Sequence, residues 1–185
     1  VPRNRVVMKF IADLHIHSKY ARAVSPRLVL PELDMVAKDK GIQVMGTGDF
    51  THPLWYEHLV KHLESAEDGL YKLKNGVGTR FLLTTEIACI YTRGGRGRRI
   101  HVLLFVPDLA TAKKINDTLT ARGKNLKSDG RPIIGLDVVE VLKIALDASP
   151  ECVMVPAHAY TPWFGILGSK SGFNSIEECF GDLTP

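Results

Sequence analysis

Short apolar runs alternate with amphipathic segments along most of the chain. Residues 8–12 form an apolar run that leads into Asp-Leu-His-Ile-His, which is typical of a buried strand whose last residues emerge at a sheet edge. Similar runs predict strands at residues 42–45, 81–85, 87–91, 100–106 and 153–155. The Gly- and Arg-rich segment 92–99 lies between two of these runs and predicts the tip of a hairpin.

Helical spacing fills the segments between the strands. Pro31 can open a helix, Leu33, Val36 and Ala37 continue it, and Gly41 is a stop signal. Pro53 predicts a second helix that runs to about residue 66. Two more helices are expected at residues 109–122 and 136–148.

This alternation of strands and helices predicts a mainly parallel α/β fold, with ligands at the carboxyl ends of the strands. The chain reaches Pro185 just after a predicted helix, without the strand that the alternation leads one to expect. We therefore expect a fragment of a longer protein.

Composition excludes several classes of protein. The 185 residues are 45% hydrophobic with mean hydropathy near zero, as in a globular domain. There is no apolar run of the roughly 20 residues that a membrane span needs, and residues 1–10 lack the features of a signal peptide, so we expect a cytoplasmic protein. The net charge of +4 suits a polyanionic partner without proving one. The widely spaced cysteines predict buried thiols.

His15 and His17 are the first candidate metal ligands. Residues two apart on a strand point to the same side, so both imidazoles can face one ion. A pair of surface or core histidines is the alternative for this motif alone.

Four further residues of ligand type occupy predicted strand edges: Asp49, Glu86, His101 and His158. A mixed set of imidazoles and carboxylates is typical of zinc, manganese or iron sites, and a bridging carboxylate favours more than one ion. The alternative is that each of them is a hydrogen-bonded core or capping residue.

Five segments, in this order and at these spacings, resemble the motifs of the PHP (polymerase and histidinol phosphatase) family. They are residues 13–18, 46–50, 85–87, 99–103 and 156–159. The resemblance implies a PHP-type distorted (β/α)7 barrel, C-terminally incomplete in this chain, with up to three divalent ions at its carboxyl face. The expected ion is zinc, with manganese, iron and magnesium as alternatives.

The resemblance also implies a ligand set. His15, His17 and Glu86 would hold one ion, Glu86 would bridge to a second held by His101 and His158, and Asp49 would be directed to a third.

Two departures from the family pattern stand out. Phe50 occupies the place of the usual histidine after the second-motif Asp, for which His52 is the candidate substitute ligand, and the final Asp-x-His motif is absent. We expect the isolated chain to bind metal incompletely and to be inactive on its own.

Within the family the chain most resembles the N-terminal part of the endonuclease Q branch. The resemblance is carried by residues 46–53, 157–173 and 177–180 and extends over residues 8–184. We assign residues 8–185 to the PHP phosphoesterase domain and residues 1–7 to an N-terminal extension or vector remnant.

The branch implies hydrolysis of a DNA phosphodiester on the 5′ side of a deaminated base, such as uracil or hypoxanthine, or of an abasic site. Glu86, Asp49 and His158 would be the catalytic residues, DNA with a damaged base the partner, and no membrane would be involved. Two alternatives stay open: a PHP phosphatase for small phosphate monoesters, and a non-catalytic PHP domain of a larger DNA-processing protein.

Two segments are candidates for DNA contact, one the basic hairpin tip and the other the loop after His158. They contribute Arg93, Arg96, Arg98, Arg99, Tyr160, Trp163, Ser169 and Ser171. A solvated basic loop is the alternative for the arginines, and a plug of the barrel is the alternative for Trp163 and Phe164.

Two further groups are expected to be solvent-facing. One is the basic stretch that includes Lys127 and Arg131. The other is the pair His58 and His62, one helical turn apart and without an obvious third ligand.

Overall fold

The computed structural model describes residues 9–184, so the predicted extension at residues 1–7 lies outside the described residues. Strands and helices alternate in this part of the chain except at β3 to β6, which follow one another directly. The strands are β1 (Ala12–Asp13), β2 (Val44–Gly46), β3 (Leu63–Ser65), β4 (Tyr71–Leu73), β5 (Arg80–Arg93), β6 (Arg96–Val106), β7 (Ile133–Ile134) and β8 (Val153–Pro156). The helices are α1 (Leu30–Lys40), α2 (Pro53–His62), α3 (Leu109–Ala121), α4 (Val138–Ala148) and α5 (Ile176–Phe180), followed by a 3-10 helix at Gly181–Leu183.

Within residues 9–184 the eight strands form one mixed sheet around the long strand β5. β1 pairs with β2, β2 with β5 and β5 with β7 in parallel. The pairs β3 with β4, β4 with β5, β5 with β6 and β6 with β8 are antiparallel. The expectation of a mainly parallel sheet is therefore wrong, because β3, β4, β5 and β6 follow one another without a helix and each pairs antiparallel with the next.

The hairpin between β5 and β6 is longer and tighter than predicted. The runs 81–85 and 87–91 belong to one strand, and pairing continues out to Arg93 opposite Arg96. Only Gly94 and Gly95 remain as the turn, with φ of 60° and 71°. Two consecutive residues with positive φ are what a two-residue turn between twisted strands requires, and glycine adopts this conformation without steric cost.

Most helix ends lie where the local sequence signals predict them. α1 has proline in its first turn and ends at Gly41, whose φ of 69° is the left-handed C-terminal cap. Asp108 and Asp137 cap α3 and α4 by accepting hydrogen bonds from Thr111 N and Val139 N. α2 ends at His62 instead of near residue 66, because residues 63–65 pair with β4 as strand β3.

The core lies between the sheet and the helices. Its large side chains include Trp55, Phe81, Leu83, Ile87 and Leu104, all fully buried. The three cysteines are free and buried, as predicted. None of the helices in the described range is long and apolar enough to cross a membrane.

We predict that Gly95→Ala lowers the free energy of unfolding by roughly 1–2 kcal/mol, the cost of a left-handed conformation for a residue with a Cβ atom. An added Cβ meets nothing within 4 Å at this position, so packing does not contribute. Gly97→Ala is the matched control, because Gly97 has equally open space without a positive φ. Urea unfolding of both variants is the measurement, and equal stabilities would contradict the prediction.

Candidate metal centre

Four histidine side chains converge on Glu86. Glu86 Oε2 lies 3.3 Å from His15 Nε2 and 3.1 Å from His17 Nε2. Glu86 Oε1 lies 2.9 Å from His101 Nδ1 and 3.5 Å from His158 Nε2. The two oxygens of one carboxylate thus face two different pairs of imidazoles.

The donor geometry fits metal ions. The ligand atoms of His15, His17 and Glu86 lie within 4.8 Å of one another, and so do those of Glu86, His101 and His158. Glu86 Oε1 is buried, yet it accepts no hydrogen bond from any described residue, although two imidazole nitrogens are near. These imidazole nitrogens and Glu86 Oε1 therefore surround a common space of the kind that a metal ion occupies. Imidazole and carboxylate donors suit zinc, manganese or iron.

The site is strongly anionic at its centre. Burial raises the pKa of Glu86, but His101, His15 and His17 lower it by more, so the pKa lies far below its ordinary range. The carboxylate is therefore ionised at neutral pH. Hydrogen bonding to Asp49, and then to Glu86, raises the pKa of His17 to about 9. The carboxylates of Asp49 and Glu86 thus favour the protonated, positively charged form of His17.

A close approach of two backbone segments brings the first histidine pair into place. A Cβ on Gly46 would lie 2.8 Å from Leu14 O and 2.7 Å from Thr84 Oγ1. One on Gly48, whose φ is 63°, would lie 2.5 Å from Ile16 O. Glycines at both positions therefore let the loop after β2 contact the histidine segment after β1.

Asp49 fixes the orientation of His17. The carboxylate is fully buried, with Oδ1 2.9 Å from His17 Nδ1 and with Oδ2 accepting hydrogen bonds from Ser18 N at 2.6 Å and Ser18 Oγ at 2.7 Å. With Nδ1 held there, His17 Nε2 faces Glu86. Asp49, predicted as a ligand of a third ion, lies outside both three-residue groups in the described chain.

Cross-strand register places His101 beside Glu86. Ala88 is paired with His101 across the antiparallel hairpin. Side chains two apart share a face, so Glu86 and Ala88 lie on the face that carries His101.

His158 follows β8 and is held by its own loop. Its φ is 31°, an uncommon conformation for a residue with a Cβ atom. His158 Nδ1 lies 2.9 Å from Thr161 Oγ1, and this hydroxyl is also placed to donate to His158 O or Trp163 O. The hydroxyl can therefore accept from Nδ1–H, which leaves His158 Nε2 facing Glu86.

The other histidines form a separate stack along α2. His52, the candidate substitute ligand, is buried against the Tyr20 ring at a centroid distance of 4.3 Å and belongs to neither three-residue group in the described range. The His58 ring stacks on Trp55 at 5.0 Å and lies 4.3 Å from that of His62. His58 is thus half-buried, whereas the sequence indicated a surface residue.

The four arginines of the hairpin divide into two kinds. Arg93 donates to Cys179 O, and buried Arg98 donates to Gly172 O and lies over the Phe173 ring. The expectation that these two guanidiniums are free for DNA is therefore corrected: they tie the hairpin to the C-terminal segment. Arg96 and Arg99 remain exposed.

The loop after His158 offers exposed aromatic rings. Tyr160 is 82% exposed and Trp163 is 51% exposed, with the Arg99 guanidinium 5.2 Å from the Trp163 ring centroid. Phe164 packs against the His101 ring at 4.3 Å. Of the proposed pair of plugging residues, only Phe164 is packed inward.

Of the two serines in this loop, one is buried and the other is exposed. Ser171 is buried, and its hydroxyl bridges Phe164 N and Arg99 O, so it has a structural role. Ser169 is exposed and lines a polar cavity of about 280 Å³ together with Arg96 and Lys170.

Three residues at the site are not among those that the sequence predicts. Ser18 donates to Asp49, Thr161 contacts His158, and Arg131 Nη1 lies 3.3 Å from Glu86 Oε2. The solvent-facing interpretation of Arg131 is thereby corrected. A polar residue three positions after His158 was a usable signal for Thr161. Nothing local connects Arg131 with Glu86.

Similarity to known proteins covers nearly the whole chain. No family model matches it. The chain is 28% identical over 164 residues to an uncharacterized protein of Methanocaldococcus jannaschii, covering 89% of this chain and 18% of that protein. It is 31% identical over 186 aligned positions to the uncharacterized protein YqxK of Bacillus subtilis, covering 93% of this chain and 46% of YqxK.

Two solved structures share the fold. Endonuclease Q from Pyrococcus furiosus, a lesion-specific endonuclease, superposes with a TM-score of 0.79 at 31% identity, covering 95% of this chain and 40% of that one. Endonuclease Q in complex with a 27-mer duplex substrate with an abasic lesion at the active site gives 0.80 at 32% identity, with the same coverage. The chain spans less than half the length of each of these relatives. It is similar in fold and sequence to one part of endonuclease Q.

We predict that Thr161→Val weakens the binding of an added divalent metal ion about 10-fold or more, because His158 loses the hydroxyl that orients it. Thr161→Ser keeps the hydroxyl and should retain the parent affinity. Competition with a chromophoric chelator measures both variants in the complete protein. Equal affinity of the valine variant and the parent would show that the hydroxyl does not orient a ligand.

Acid should destabilise the fold through His58. Burial, together with His62, Lys19 and Lys61, lowers the pKa of His58 from 6.5 to about 4. The unfolded chain takes up this proton first, so the contribution of His58 to stability is complete above pH 6.5 and is lost as the pH falls towards 4.

The measurement is urea unfolding of the parent and of His58→Phe, which keeps a ring against Trp55, across this pH range. We expect the difference in stability between the two proteins to shift in favour of the variant on acidification. A difference that is independent of pH would contradict the assignment.

Proposed function

We propose that this chain is the metal-binding part of a PHP-type DNA endonuclease of the endonuclease Q kind, which hydrolyses a phosphodiester on the 5′ side of an abasic site or a deaminated base. The single observation that carries the proposal is Glu86, whose two oxygens face two pairs of histidines. The likeness to endonuclease Q, solved with an abasic duplex, supports the choice of substrate.

The proposal includes a ligand set. His15, His17 and Glu86 would hold one divalent ion, and Glu86 would be shared with a second held by His101 and His158. We keep zinc as the expected ion, with manganese, iron and magnesium as alternatives. A third ion near Asp49 or His52, and closure of the sheet as a distorted (β/α)7 barrel, are further parts of the proposal.

Hydrolysis needs an oriented water and stabilisation of negative charge on the phosphate. Divalent ions in such a site lower the pKa of water and offset charge on the leaving oxygen. A water oxygen bonds to phosphorus, the bond from phosphorus to the leaving sugar oxygen breaks, the water gives up a proton to solvent and the leaving oxygen gains one. The protein contributes ligand orientation, through Asp49 on His17 and Thr161 on His158.

The surroundings of the site suit a polymer substrate. His15 and His158 are 37% and 33% exposed at the rim, which leaves the centre accessible from outside. Tyr160 and Trp163 offer exposed rings on which an extruded base can stack. Arg96 and Arg99 carry the phosphate-contact role that the sequence suggested for all four arginines, and Ser169 lies beside them.

We predict that Glu86→Gln abolishes cleavage of abasic-site DNA by the complete, metal-loaded protein, because a neutral amide cannot bridge two cations. Glu64→Gln is the matched control, since exposed Glu64 on β3 pairs with Lys72 on the neighbouring strand β4, away from the site. Cleavage rates and metal content per chain are the measurements. Residual activity above about a tenth of the parent would argue against a bridging role.

A substrate panel separates the proposal from its alternatives. The complete protein should cleave duplex DNA containing uracil, hypoxanthine or an abasic site and should be slow on p-nitrophenyl phosphate. Activity on the small ester alone would favour a phosphatase. Absence of any phosphoesterase activity, with His15→Ala lowering the melting temperature, would favour a non-catalytic domain.

A further inference from the structure

Arg131 is the cationic side chain that reaches the central carboxylate. Its Nη1 donates to Glu86 Oε2 at 3.3 Å, the same oxygen that faces His15 and His17. The side chain is 37% exposed, so the guanidinium lies at the rim of the site, with one side towards Glu86 and another towards solvent. Within the described residues no hairpin arginine forms an ion pair with Glu86, whereas Arg131 does.

The backbone that carries Arg131 is fixed from two sides. Buried Asp129 accepts hydrogen bonds from Arg131 N at 3.1 Å and from Arg22 N at 3.2 Å. Gly130 N donates to Tyr20 O at 2.9 Å, and Gly130 lies so close to the Asp49 carboxylate that a Cβ atom would overlap it. The segment is therefore packed against the loop that holds the metal ligands.

The chain after Arg131 is fixed as well. Ala88 N donates to Pro132 O at 3.0 Å, and β7 then pairs with β5. The position of the Arg131 Cα atom is thus set by the strand that also carries Glu86. Only the Arg131 side chain is left to adjust. A charged group on such a fixed backbone is preorganised, and preorganised charges stabilise transition states.

Electrostatics indicates what the guanidinium binds. Arginine stays charged at all ordinary pH values, and a cation beside a divalent-ion site is repelled unless an anion is shared between them. Glu86, the carboxylate that Arg131 contacts, is also the one that faces both groups of candidate ligands. A phosphate group adds negative oxygens at the rim, and a guanidinium can donate to two of them in parallel.

We propose that Arg131 is a catalytic residue that binds the non-bridging oxygens of the phosphate being cleaved and stabilises the charge that grows on them in the transition state. This rests on the proposed function of the site as a phosphodiesterase. Arg131 forms no covalent bond and transfers no proton in the reaction. Its contribution is a fixed positive charge with paired donors.

The test compares Arg131→Gln and Arg131→Lys with the parent in the complete, metal-loaded protein. Arg122→Gln is the matched control, because Arg122 pairs with exposed Glu140 away from the site. We expect Arg131→Gln to lower kcat on abasic-site DNA about 100-fold, with much less change in KM. Arg131→Lys should lose about 10-fold, since it keeps the charge without the paired donors. Metal content should stay at the parent level in all variants.

A second readout does not depend on DNA cleavage. Calorimetric titration with inorganic phosphate should give an affinity about 10-fold lower for Arg131→Gln than for the parent and for Arg122→Gln. Parent-like kcat and phosphate affinity in Arg131→Gln, or loss of metal from it, would overturn the proposal. If the parent cleaves no lesion DNA, the proposed function fails, and the phosphate titration still decides the role of Arg131.

Discussion

A carboxylate buried inside a sheet is costly unless positive charge or donors surround it. Glu86 is such a group, and the nearby chain is arranged around it: two histidine pairs face its oxygens, and Arg131 approaches from the rim. The free-energy cost of burying a charge and the cost of backbone strain therefore both fall around Glu86. Asp49 and His158 both have positive φ beside it, as residues at functional sites often do.

The polar groups around the centre divide by role. One set fixes the ligands, with the Asp49 carboxylate on His17 and the Thr161 hydroxyl on His158. Another set fixes the framework: Arg98 and Arg93 tie the hairpin to the C-terminal segment. The exposed arginines and aromatic rings are left for a partner. A basic residue near a site is thus not by itself a sign of nucleic-acid contact, because its donors can be taken up within the protein.

Local signals in the sequence predicted the ends of α1, α3 and α4, since caps and glycine stops act over a few residues. The residues that converge at the centre were all candidates from the sequence, because the motifs mark them: His15, His17, Glu86, His101 and His158. Glu86 and His101 nevertheless lie within β5 and β6 and not at the predicted strand edges, because both strands are longer than the apolar runs indicated. The hairpin between β5 and β6 was predicted as well, but the pairing of β6 with β8 and the role of Arg131 were not. They depend on contacts between segments far apart in the chain, for which the local pattern carries no information.

The hairpin between β5 and β6 makes the centre sensitive to a part of the chain that does not touch it. His101 lies on the face that carries Glu86 because it pairs with Ala88. The turn at Gly94 and Gly95 sets the register of this pairing. Slipping β6 by a single position would turn His101 to the other face of the sheet. An insertion or deletion at this tip therefore preserves the position of His101 when β5 and β6 change in length equally, by two residues in total or a multiple of two. An odd number of inserted residues must be absorbed as a bulge.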